Sequence, residues 1–229
     1  WQATGKEEHA RNAREALEYV ARDMTSEAGG FYSAEDADSE GEEGKFYTWT
    51  KSEILEALGP EEGAWFAATF RIEEEGNYLD EATRRMNGTN IPHLRSDLSG
   101  DDRKRLEPLR ATLRERREAR VHPQKDDKIL TDWNGLMISA CAKAARALGD
   151  DACAAAAKKA ADFVLAELTT EDGRLLKRYR AGDAGLAAHL EDYAMFIRGL
   201  LDLYETTFEV AYLERAVAFQ RILDERFLD

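Results

Sequence analysis

Slid along itself, the sequence repeats. One shift lays WNGLMISACAKAARALGDDACAAAAKKAADFVLAEL, from Trp133, over DYAMFIRGLLDLYETTFEVAYLERAVAFQRILDERF, from Asp192. A second, longer shift lays ATGKEEHARNAREALEYVARDMTSEAGG over ALGDDACAAAAKKAADFVLAELTTEDGR, so that Gly5 meets Gly149, Tyr19-Val20 meets Phe163-Val164 and Gly29 meets Gly173. In the first shift each copy reads as helix, short turn, helix. In the second, the closing helix runs into a loop or extended element. Recurring helical hairpins bury their apolar faces either as an open solenoid or as a closed ring. The step from Trp133 to Asp192 is longer than the roughly 33 to 47 residues of the commoner helical solenoid repeats. It fits an α/α toroid of inner and outer helices once decorated loops are included. In such a ring the loops after the outer helices gather at one mouth, beside the inner-helix starts at Asp132 and Glu191.

Local patterning agrees. Residues 7 to 24 place Ala10, Ala13, Ala16, Leu17, Val20 and Met24 on one helical face. Thr50 and Glu53 form a capping-box pattern that opens a helix stopping at Gly59, and Pro60 opens the next, through EEGAWFAATF. Further helices are predicted over about 101–120, 132–148, 150–168, 186–206 and 209–227. GGFYSA and KFYTWT flank an acidic loop and would pair as a hairpin with a long connection, and GRLLKRYR at 173–180 is a second extended candidate. The fold class is therefore mainly α: a partial α/α toroid with a small β-hairpin insertion, taken as one domain over 1–229.

Charge and hydropathy exclude several classes of partner. A net charge of −14 repels phosphate backbones and argues against nucleic-acid binding. The local exception, residues 103–125 with nine Lys/Arg against three Glu, reads as a solvated helix face. No apolar run approaches the roughly 20 residues of a membrane span. There is no signal-peptide pattern, and the chain starts at Trp1 as a fragment or processed chain would. Cys141 and Cys153 sit in alanine-rich helical segments without CxxC or zinc spacing, which points to two buried thiols in a reducing cytoplasm.

Three stretches carry a resemblance: GGFYSAEDADSEGEEGKFYTWT, DDKILTDWNGLMISACAKAARALGD and HLEDYAMFIRGLLDLYETT. With EGNYLD and DLYE, they resemble the family of spermatogenesis-associated protein 20 along essentially the whole chain. The resemblance implies a thioredoxin-like domain preceding a six-hairpin toroid similar to glycosidases and sugar epimerases. This chain would be the middle of that toroid, roughly three hairpins, with the thioredoxin-like domain and the final hairpins absent. A partial ring exposes apolar flanks, so self-association, or neighbouring toroid segments supplied from elsewhere, is expected.

With that fold in view, three groups of residues can carry chemistry. Between Glu35 and Glu43 six carboxylates crowd one short stretch. Asp36-Ala37-Asp38-Ser39-Glu40-Gly41 follows the opening of a calcium loop, but its twelfth position is Tyr47 where a bidentate Glu belongs. A looser divalent-cation site on Asp36, Asp38 and Glu40 is the remaining cofactor candidate. Glu35 and Asp36 are also placed to line the mouth and meet substrate. In DDKILTDWNGLM, Thr131 or Asp132 can cap the following helix. Functionally, Asp132 would be a catalytic carboxylate, Trp133 a sugar-stacking platform and Asn134 a hydroxyl partner. The first shift sets Glu191 opposite Asp132, so HLEDYA supplies a second carboxylate from Glu191 or Asp192, flanked by His189 and Tyr193. Glycosidases use two such groups, one protonated and one ionised. An epimerase calls for bases on both faces of the sugar, commonly histidines, and only His189 stands at an inner-helix start. The aromatics Trp49, Trp65, Phe66, Phe70, Tyr204 and Phe208 are read as core. Two functions follow: a carbohydrate-active-like domain of hydrolase or isomerase type acting on a sugar-like small molecule, or a non-catalytic binding or scaffold module using the same acidic cavity.

Overall fold

The structure, a computed structural model, describes residues 1–79 and 84–227. Its helices are α1 (Glu7–Asp23), α2 (Lys51–Phe70), α3 (Gly100–Glu118), α4 (Thr131–Leu148), α5 (Asp151–Glu167), α6 (Leu190–Thr207) and α7 (Val210–Phe227). Among the described residues, no helix is long and apolar enough to cross a membrane. The residues taken as one domain group into two compact units. The first is Trp1–Ala34 with Asp126–Asp229, and the second is Glu35–Lys125.

In the first unit the repeat is physical. The shift that carries Trp133 onto Asp192 also carries the start of inner helix α4, Thr131, onto that of α6, Leu190. It carries the start of α5, Asp151, onto that of α7, Val210. α4 lies along α6, with α5 behind α4 and α7 behind α6. The inner helices run parallel, since Gly135 near the start of α4 abuts Met195 and Phe196 near the start of α6. α1 is a further outer helix. The second shift carries its start, Glu7, onto Asp151 of α5, and the two helices have the same 17-residue length. The turn that follows repeats as well: the bridge Thr25↔Phe31 returns as Thr169↔Leu175. Each turn hinges on a glycine with positive φ, Gly29 at 108° and Gly173 at 81°, a region other residues enter at a steric cost.

The unit is thus a partial α/α toroid of two complete hairpins and one outer helix, where the sequence predicts about three hairpins. From one outer-helix start to the next inner-helix start, the chain goes directly from Asp151 to Leu190. The corresponding path from Glu7 to Thr131 is far longer. The second unit is inserted in that longer excursion.

The core of the first unit joins Ile138, Val164, Leu168, Phe196, Leu200, Leu203 and Phe219, all essentially inaccessible to solvent. Phe208, expected in this core, instead ends α6 in the left-handed conformation and is 75% exposed. GRLLKRYR is extended as predicted: Leu176–Arg180 pairs with both Ile129–Leu130 and Asp183–Ala187. That last strand displaces the predicted start of a helix at 186. The two-residue turn Ala181-Gly182, both at positive φ, sets the hairpin, and α6 begins only at Leu190.

The second unit is built on α2 and α3. Thr50 and Glu53 form the capping box, and α2 is interrupted at Gly59 (φ 79°, ψ 170°) before Pro60, as the sequence predicts. Trp49, Ile54, Phe66, Ile72, Leu106 and Leu113 make its core. The basic run is spent inside its own unit. Arg105 pairs with Glu62 and Arg116 with Glu56, while Arg120 donates to the carbonyls of Lys45, Phe46 and Thr48 and lies over Trp49. The predicted pairing of GGFYSA with KFYTWT does not form. Phe31 bridges Thr25, and Trp49–Thr50 pairs with Thr89–Asn90. Both partners lie nearby in structure but outside the quoted stretch. Asp80, which closes the EGNYLD motif, lies outside the described residues.

Candidate functional site

The acidic loop folds as its own tight hairpin, Asp38–Ser39 against Glu42–Glu43, within the second unit. Ser39 is buried and donates to the Val121 carbonyl. Asp36 turns inward along its own loop to accept the Asp38 amide. Lys45 bridges Glu40 and Glu42, and Glu35 pairs with Lys125 and accepts the Tyr47 hydroxyl. Two lysines thus offset Glu35, Glu40 and Glu42. Among the described residues no three His, Cys, Asp or Glu side chains are grouped as metal ligands, and Asp36, Asp38 and Glu40 are not brought together as such a set. Millimolar calcium is expected to leave the melting temperature unchanged in a thermal-shift titration; a rise by mass action would reinstate a cation site.

The inner-helix starts of the first unit hold the other candidates. Neither Thr131 nor Asp132 is the N-cap of α4; that place falls to Leu130. Thr131 is drawn away because its hydroxyl donates to the Leu176 carbonyl, and Asp132, half-buried, accepts the neighbouring Trp133 amide at 2.8 Å. Trp133 turns outward, 50% exposed. Asn134 is a structural clamp and not a hydroxyl partner. Fully buried, it accepts the Phe31 amide and donates to the Phe31 and Leu130 carbonyls, tying the post-α1 turn to α4. Tyr193 is likewise core: it is buried against Phe219, and its hydroxyl accepts the Leu175 amide.

At the start of α6 the two acidic residues part company. Glu191 is exposed beside the exposed His189, 3.8 Å from its Nδ1. Asp192 is fully buried. Its Oδ2 accepts the His189 amide at 2.8 Å and faces Lys177 Nζ at 3.4 Å, while its Oδ1 is buried without a hydrogen-bond partner among the described residues. Burial is the main force raising the pKa of this carboxyl, against the His189 amide and Lys177, and the charge of Asp132 pushes it up further. The two carboxylates therefore feel one another at neighbouring helix starts. Both also sit where the helix N-terminal partial charge favours an anion.

Spermatogenesis-associated protein 20 of Homo sapiens is 34% identical over 268 residues, an alignment that takes in all of this chain and 34% of that protein. The chain belongs to the spermatogenesis-associated protein 20 family. The Rattus norvegicus protein of the same name is also 34% identical, and "Uncharacterized protein B0495.5" of Caenorhabditis elegans is 31% identical over 87% of the chain. The chain spans about a third of the length of the curated relatives it matches. No family model matches it. Among solved structures it is similar to cellobiose 2-epimerase from Bacillus thermoamylovorans B4167, with a TM-score of 0.44 and 12% identity over 97% of this chain and 56% of that one. A sugar epimerase from a ruminal bacterium gives a TM-score of 0.40 and 14% identity over 99% of this chain and 72% of that one.

Two features of this family member escape sequence reasoning. Lys177 reaches Asp192 from the strand Leu176–Arg180, 15 residues away in sequence, and no helical or strand spacing announces the pair. A cleft of about 690 Å³, floored by Leu55, Ala67 and Ile72, lies in the second unit and takes in none of the carboxylates singled out above.

Proposed function

We propose that the inner-helix starts of the first unit form a proton-transfer site acting on a sugar, of hydrolase or isomerase type, with Asp192 as the protonated acid and Asp132 as its ionised partner. The observation that carries this reading is the unlike surroundings of two neighbouring carboxylates. Asp192 is buried with one oxygen unpartnered among the described residues and its pKa raised, whereas Asp132 is half-exposed. Acid–base work at a glycosidic oxygen, or at a carbon beside a carbonyl, needs such a split pair. Asp192 Oδ1 is covered in this structure, so substrate would have to uncover it before its proton could pass to the substrate oxygen, and Asp132 would stabilise positive charge or accept a proton. The exposed face of Trp133 offers a sugar ring an apolar platform, and His189 and Glu191 are exposed polar groups at the start of α6.

Asp192→Asn and Asp132→Asn test the assignment in a turnover screen over sugars. Each is expected to lose about 10²- to 10⁴-fold in kcat, the usual span of one general acid or base. The fold is expected to survive the first change. A carboxyl whose folded pKa is raised favours the native state below its unfolded pKa and forfeits that stability as pH rises through the folded value. Asparagine still accepts the His189 amide, so Asp192→Asn should melt no lower than wild type at neutral pH. The scaffold reading draws support from the same contacts, since Asp132 and Asp192 each satisfy a backbone amide of their own helix start. It predicts that both variants leave ligand binding and any turnover unchanged.

A further inference from the structure

A second polar cluster lies further along the same two inner helices. Asp202 of α6 is 7% exposed, and one of its oxygens, Oδ2, takes three donors: Ser139 Oγ at 2.5 Å, Lys143 Nζ at 3.0 Å and Arg198 Nε at 3.0 Å. Arg146 lies 3.6 Å from Oδ1 and bonds Glu205 at 2.7 Å. Three cations thus share two carboxylates, a local surplus of positive charge in a chain of net −14. Among the described residues, Arg198 spends only Nε on the protein, and its side chain is 60% exposed. Its two terminal nitrogens form a fork matched to a planar or tetrahedral oxyanion. Lys143, 45% exposed, stands beside it on the same oxygen of Asp202.

The placement supplies the ligand class. Asp132, Leu136, Ser139 and Lys143 recur at helical spacing on one face of α4. Glu191, Met195, Arg198 and Asp202 do the same on α6. Close packing at Gly135 and Gly199 fixes the two faces side by side. Two helical turns separate Asp132 from Ser139, about 10 Å of rise, roughly the length of two linked sugar rings. We propose that Lys143 and Arg198 form an oxyanion subsite for a carboxylate or phosphate carried one ring beyond the sugar unit processed at Asp132 and Asp192, a subsite that an anionic monosaccharide can fill alone. The inference rests on the proposed carbohydrate reading.

Calorimetric titration of wild type, Arg198→Gln and Lys143→Ala with glucuronate, glucose 6-phosphate and glucose tests it. Wild type is expected to bind at least one anionic sugar tenfold or more tightly than glucose, with affinity falling as salt is added. Whichever of the two wins identifies the group as carboxylate or phosphate. Each variant should lose about tenfold or more for that ligand, the usual weight of a hydrogen bond to a charged group, with glucose unaffected. Equal binding of charged and neutral sugars, or variants that bind the anionic sugar as wild type does, would overturn the subsite while leaving the proton-transfer reading to its own variants. Conversely, anion binding lost in Arg198→Gln alongside full turnover in Asp192→Asn would uphold the subsite and sink the acid–base pair.

Discussion

Gly135→Ala is expected to destabilise the first unit by about 3 kcal/mol, at the upper end of what overpacking a filled interior costs. A Cβ at this position would press into the Met195 carbonyl group and stand 2.6 Å from the Phe196 nitrogen. Those are backbone atoms, and no rotamer change moves them aside. The reciprocal position is as tight, since a Cβ on Gly199 would lie 2.6 Å from the Gly135 carbonyl oxygen. α4 and α6 would have to separate, opening a seam that buries Ile138 and Leu200. The sign makes the result diagnostic. In an exposed helix interior glycine to alanine gains roughly 0.5 to 1 kcal/mol, so a large loss can come only from the helix contact. Gly100→Ala is the control: it begins α3, has nothing within 4 Å of its Cβ position, and should be neutral or slightly stabilising. A urea midpoint that falls for Gly135→Ala with unchanged slope, and holds for Gly100→Ala, checks both.

That contact also shows what the sequence could and could not disclose. The two self-alignments set the inner-helix starts at Asp132 and Glu191, one residue from the observed 131 and 190. The observed pairs 151 and 210, and 7 and 151, keep the same shifts, because periodicity and turn glycines are local properties that recur with the hairpin. The capping box at Thr50 and the interruption at Gly59 were legible for the same reason. Features fixed by a distant partner were not. Asn134 looks like a surface amide at a helix start until Phe31, 103 residues away, presents its amide and carbonyl to it. Leu186-Ala187-Ala188 reads as the start of a helix, yet pairing with Leu176–Arg180 makes Leu186 and Ala187 the end of a strand. The acidic loop suggests a metal site through its carboxylate density and its calcium-loop opening, while Lys45 and Lys125, set apart from that pattern, offset Glu35, Glu40 and Glu42. In the candidate site, the equivalence of Glu191 and Asp132 under the repeat was visible. That Asp192 would be the buried member was not, because burial depends on the strand carrying Lys177.

Asp202→Ala is expected to cost about 3 kcal/mol, within the range for breaking a buried ion pair from one side. Three cations would be left facing one another, and the Ser139 hydroxyl would lose its acceptor. Asp202→Asn should cost less, since it keeps an oxygen for Ser139 while losing the charge. The acid limb of stability separates this carboxylate from its neighbour on α6. Burial pushes Asp202 upward, but hydrogen bonds from Ser139, Lys143 and Arg198 outweigh it and hold the group below the usual 3.8. A depressed carboxyl contributes stability that is present above its unfolded pKa and is lost as pH falls through the folded one. Wild type should therefore lose stability below about pH 4 more steeply than Asp202→Ala, a difference that melting curves across the acid range will register. Asp192, on the same helix, is displaced upward. The contrast comes from donors: three side-chain donors crowd one oxygen of Asp202, whereas Asp192 has one backbone amide, a lysine at 3.4 Å and a buried oxygen with no partner among the described residues. A saturated carboxylate locks two helices together. The unsaturated one, held above the ordinary carboxyl range by its burial, is the member to which the proposed proton transfer assigns the acid role.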